Sequence, residues 1–97
     1  MSVGKADEER LERVKLTLAE VRRLRDQIEG ASEAEIDPMA SQIGERIDQV
    51  YKTIGKIEDS LTQGQALREL ERTSESLARL DDRLEKRIVE KAKLKTK

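Results

Sequence analysis

The segment 36–61, IDPMASQIGERIDQVYKTIGKIEDSL, constrains this chain more than any other. Its apolar residues Ile36, Ala40, Ile43, Ile47, Val50, Ile54, Ile57 and Leu61 recur at spacings of 4-3-4-3-4-3-4. That is an unbroken heptad stripe along one face of an α-helix. A stripe of this length is unstable in water, so other helices must cover it. The seam therefore specifies an architecture and leaves reaction, ligand and partner open.

Two further stripes supply the cover. In residues 5–29 the seam is Leu11, Val14, Leu18, Val21, Arg25 and Ile28, widened by Leu24. In residues 63–93 it is Leu67, Leu70, Ser74, Leu77, Asp81, Leu84 and Ile88, with Leu80 beside it. The expected fold is all-α, an antiparallel up-down-up three-helix bundle with coiled-coil-like heptad seams. Its helices span about 5–29, 38–60 and 63–93 of a single domain, 1–97, and end in a frayed basic tail.

Local signals set those boundaries. Gly30 is placed to close the first helix in a left-handed conformation. Asp37-Pro38 reads as the stronger start of the second helix, because Asp caps free amides and Pro needs no N–H at the first position. Ser32 and Glu35 have capping-box spacing and imply a helical turn before it. Thr62-Gln63-Gly64-Gln65 has capping-box form, with Ser60 and Gln63 as an overlapping alternative. The stripe also loses a residue between Leu61 and Leu67, a rotation of about 100°. Both features favour a turn over a helix continuous through Gly64. If Leu11 is level with Leu67, Arg25 is level with Asp81, which predicts a partly buried ion pair between them.

Charge supports the antiparallel order. Residues 30–64 carry three basic and seven acidic side chains, giving −4, while residues 65–97 carry ten and seven, giving +3. Exposed pairs contribute only about 0–1 kcal/mol each, so charge biases the pairing and burial drives it.

Several function classes are disfavoured. The chain has no cysteine and no histidine, which removes thiolate and imidazole chemistry and metal ligation through them. The glycines at 4, 30, 44, 55 and 64 are scattered and form no phosphate-binding loop. No apolar run is long enough to span a bilayer, and the first residues lack a signal-peptide core. The expectation is a non-catalytic, cytoplasmic protein without cofactor or metal.

One surface of the second helix stands out. Gly44, Asp48, Tyr51 and Gly55 are spaced 4-3-4, with Glu58 just beyond. Each glycine costs about 0.8–1 kcal/mol against alanine in a helix interior. Two of them bracketing the only aromatic indicate close approach to the backbone, either by another helix of the bundle or by a partner. Tyr51 is then the anchor, and Asp48 and Glu58 form an acidic rim. The leading functional reading is a protein–protein interaction module of adaptor, co-chaperone-like or regulatory type. Leu16, on the outer face of the first helix, is a lesser candidate contact.

Antiparallel three-helix bundles of this length resemble BAG domains, and Arg68, Arg72 and Arg79 are similar to the basic third helix of that family. The resemblance is architectural. It implies a chaperone partner, the nucleotide-binding domain of Hsp70, contacted through the second and third helices. Two alternatives belong to other classes. One is a self-associating coiled-coil hairpin, a homodimer with the second and third helices fused through Gly64. The other is binding of nucleic acid or an acidic membrane surface by residues 86–97, which hold six basic side chains and one acidic. Nucleic acid is the weaker reading, because that tail has no aromatic for stacking.

Overall fold

A computed structural model describes residues 4–95, with the side chains of that range apart from Ile88 and residues 91–95. The chain forms three helices, α1 Lys5–Glu29, α2 Glu33–Lys56 and α3 Ser60–Lys95. α1 packs against both α2 and α3, making an all-α three-helix bundle of 67 × 19 × 17 Å. α2 and α3 approach each other much less closely than either approaches α1. No strand occurs among the described residues.

The apolar stripes of α1 and α2 make the core. One cluster gathers Val14 and Leu18 with Val50, Ile54, Ile57, Ala66 and Leu70. A second gathers Val21 and Ile28 with Ile43 and Leu80, and half-buried Ile47 packs against both. Each Val, Leu or Ile buried in this way contributes about 1.5–3 kcal/mol.

α3 uses a different face from the expected one. Its inner row is Thr62, Ala66, Leu70, Thr73, Leu77, Leu80 and Leu84, while Leu67, Ser74 and Asp81 are exposed. Leu61 is 80% exposed and belongs to α3 instead of closing the α2 stripe. The small residues explain the choice. Ala66 and Thr73, both essentially inaccessible, let α1 come close, and the Thr73 hydroxyl is satisfied within its own helix by donating to Glu69 O at 3.0 Å.

Arg25 and Asp81 are therefore not paired. Arg25 Nε donates to Ser76 O at 3.3 Å, and its Nη1 lies 3.1 Å from Asp26 and 3.2 Å from Glu29. With α3 rotated, Asp81 turns away from α1. Another polar link between α1 and α3 is Arg22, whose Nη2 reaches Glu69 Oε2 at 3.3 Å and whose Nε reaches Thr73 Oγ1 at 3.5 Å. Arg46 Nε lies 3.1 Å from Glu20 Oε2 across the α1–α2 seam, too poorly aligned for a hydrogen bond.

The turns also differ from the expected ones. α2 begins at Glu33, with Ser32 as its N-cap residue, and carries Pro38 inside. The carbonyl of Ser32 accepts Glu35 N–H and Ile36 N–H at 3.0 and 3.2 Å, so the helix is established before the proline. The Ser32 side chain makes no capping bond. Gly30 has φ −101° and ψ 3° and is not left-handed. α2 ends at Lys56, so it is not continuous with α3, and Gly64 lies within α3.

The turn at residues 57–59 is held from outside. One oxygen of Asp59 accepts Thr62 N–H at 2.9 Å and Thr62 Oγ1–H at 2.7 Å, capping α3. The Asp7 carboxylate accepts Glu58 N–H at 3.2 Å and Asp59 N–H at 2.9 Å. Arg10 Nη1 donates to Lys56 O at 2.8 Å, a carbonyl in the last turn of α2, and Gln63 Nε2 donates at 3.1 Å to Ile54 O, which also accepts Ile57 N–H. At the opposite end Arg87 Nη1 donates to Glu29 O at 3.3 Å, and Arg83 Nη1 to Glu29 Oε1 at 2.8 Å.

Candidate functional site

Four of the five residues singled out in the sequence, Gly44, Asp48, Tyr51 and Gly55, lie on α2, and Glu58 lies in the following turn. All five are exposed, Tyr51 by 58%. A Cβ added at Gly44 or at Gly55 would meet no atom within 4 Å. No helix of the bundle packs against this face, so close internal packing does not account for the glycines.

The face lies on the α3 side of α2. Arg46, which reaches Glu20, marks the flank turned toward α1. Tyr51 lies about 140° around the helix from it, at about 100° per residue. On α3 the flank turned toward α2 is marked by Gln63, which reaches Ile54 O. Leu67, Ser74 and Asp81 follow Gln63 on that stripe at spacings of 4, 7 and 7.

Two rims therefore run side by side where α2 and α3 stand apart. Antiparallel heptad steps put Tyr51 level with Leu67, Gly44 with Ser74, and Asp37 with Asp81. Ala40 and Ala78 fall between the last two layers. Half-buried Ile47 and Leu77 lie deeper between the helices, and exposed Tyr51 and Leu67, the latter 46% accessible, flank one end. The result is a shallow furrow with small residues along its middle. At its far end Ile36, Asp37, Leu84 and Arg87 help line a concavity of about 500 Å³.

The α3 rim is not legible from heptad spacing, which places Leu67, Ser74 and Asp81 in the core. Two polar residues in an apolar seam are the available sign that this phase is wrong. The mistaken core positions turn out to be one wall of the furrow.

The electrostatics of the molecule concentrate elsewhere, at Asp7. The backbone N–H of Asp59 is the main influence holding its carboxyl below the usual carboxylate range, opposed by burial and assisted by Glu58 N–H and Arg10. Asp7 is structural, since both its oxygens are occupied by the turn and by Arg10.

Among the described residues no three acidic side chains are grouped to hold a metal ion. No described helix is long and apolar enough to cross a membrane. The outer residue Leu16 is 61% exposed and stands apart from the furrow on the far side of α1. α3 continues to Lys95, but the side chains of residues 91–97, on which a basic-tail binding role depends, lie outside the described residues. Comparison with protein-family models, curated proteins and solved structures finds no match to this chain.

Proposed function

We propose that the chain is a non-catalytic protein–protein interaction module that presents the α2 face, bordered by α3, to another protein. Adaptor, co-chaperone-like and regulatory roles all fit this description, and a chaperone is one partner of the right kind. The observation that carries the reading is the open space at Gly44 and Gly55 beside exposed Tyr51. Gly44, in the helix interior, costs about 0.8–1 kcal/mol against alanine, Gly55 in the last turn of α2 costs less, and nothing within the bundle uses the room they provide. A backbone that approaches α2 from outside would use it, with Tyr51 as the amphipathic anchor typical of interface centres.

The test compares proteins captured from extract by wild type, by Asp48→Lys/Tyr51→Ala and by Leu16→Ala as a control on the opposite side. A protein held by wild type and by Leu16→Ala but lost in the double variant supports the α2 face. Identical capture by all three refutes it. Both α2 positions are exposed, so circular dichroism should show the same helix content throughout.

A further inference from the structure

We infer that the furrow between α2 and α3 accepts an amphipathic helix whose apolar stripe is flanked by lysine and arginine. This rests on the proposed docking role of the α2 face and adds the chemistry of its occupant.

Charge is segregated around the furrow. The sectors of α2 and α3 that border it carry Asp37 and Asp48 on one side and Glu71, Asp81 and Glu85 on the other. All five are exposed, and none forms an ion pair with a described residue. At about 100° per residue, every described basic residue of both helices falls outside those sectors. Lys52, Arg68 and Lys86 come nearest, beyond the outer edge. Arg46 pairs with Glu20 and Arg83 with Glu29 on α1, while Arg87 donates to Glu29 O and also lines the concavity at the far end, so the acidic walls run from Gly55 to that end and stop there. A chain with twenty basic and twenty-one acidic residues thus leaves one groove whose long walls carry acid alone.

Such walls repel an acidic visitor and attract a basic one, and they raise its association rate in a salt-dependent way. They also oppose a second copy docking through the same face, because acid would meet acid. The small residues Ala40, Gly44, Ser74 and Ala78 leave room for a helix backbone, in keeping with the open space beside Gly44 on α2. From Asp37 to Gly55 the furrow is about 27 Å long at about 1.5 Å per residue, which suits a helix of about five turns.

Two synthetic helical peptides of about 18 residues test this against the full chain. They share one Leu/Ala stripe and differ only in Lys or Glu flanks. Expected is binding of the Lys peptide at least about tenfold tighter than the Glu peptide, weakening from about 0.02 M to about 0.3 M salt. Amide shifts should concentrate at Gly44, Tyr51, Gly55 and Leu67. In Asp48→Lys/Glu71→Lys/Asp81→Lys the preference should reverse. Equal binding of both peptides at the furrow overturns the basic class and leaves the docking face standing. A Lys-peptide footprint elsewhere, binding unchanged in the triple variant, or no binding of either peptide overturns the inference. So does a furrow-dependent dimer of the chain itself. The capture comparison above, which does not depend on flank charge, reports separately on the docking role.

Discussion

The carboxylate of Asp7, in the first turn of α1, accepts the backbone N–H of Asp59 at 2.9 Å, although 52 positions separate them. Asp59 in turn caps α3 through Thr62, so one carboxylate of α1 positions the residue that starts another helix.

Replacing Asp7 with Asn should lower the melting temperature by several degrees, because a neutral amide is a poorer acceptor for two N–H groups. The pH dependence has a definite sign. The folded-state value of Asp7 is depressed below 3.8, so its contribution is fully present above that value and is lost as pH falls through the folded one. Thermal melts by circular dichroism between about pH 2 and 7 should show a smaller acid loss in Asp7→Asn than in wild type.

Leu18 is fully buried between all three helices, whereas Leu61 and Leu67 project outward. Leu18→Ala should cost about 2–5 kcal/mol in urea denaturation. Leu61→Ala should stay within about 0.5 kcal/mol. Leu67→Ala should be as mild for stability and should weaken peptide docking.

Arg25 and Asp81 should be energetically independent. A double-mutant cycle between them is expected to give coupling near zero, and the cycle between Arg25 and Glu29 about 0.3–0.5 kcal/mol. Coupling at Arg25–Asp81 of about 1 kcal/mol would contradict the rotation of α3.

Pro38 is exposed within α2 and has no N–H to give the Ala34 carbonyl. Pro38→Ala should raise stability by about 1–3 kcal/mol, at the low end because the site is near the helix start. Chemical denaturation reads this directly.

Gly44→Ala should stabilise by about 0.8–1 kcal/mol and Gly55→Ala, in the last turn of α2, by less, and additively, since a Cβ meets nothing at either position. The same changes should weaken docking of a helix in the furrow. A gain in stability paired with a loss of binding would separate the use of these glycines from their cost.

Much of the architecture is legible in the residues. The stripes of α1 and α2 are strongly apolar at regular spacing, and Val14, Leu18, Val21, Val50 and Ile54 are buried as that spacing requires. α3 is harder, because its inner row includes Thr62, Ala66 and Thr73, while Leu67 and Leu61 sit outside it. Hydrophobicity alone favours the leucines. The deciding facts are close approach by α1 and hydroxyls satisfied by local acceptors, and neither is visible to a count of apolar positions. The start of α2 is obscured similarly, since Asp37-Pro38 is a stronger local signal than Ser32. The α2 half of the candidate face can be read from its glycines and tyrosine. The α3 half depends on the rotation of that helix.

The clamp on the turn at residues 57–59 also orders events in time. Asp7 and Arg10 leave the ribosome about fifty residues ahead of the groups they hold, an interval of roughly 2.5–10 s at about 5–20 residues per second. Within that interval α2 emerges beside α1 with an unfinished end, and α3 is still to come. In a nascent chain of this kind the end of α2 is fixed only when the turn meets the waiting carboxylate and guanidinium, and α3 docks after it. Truncations that remove α1 should therefore yield two separated helices instead of a smaller hairpin.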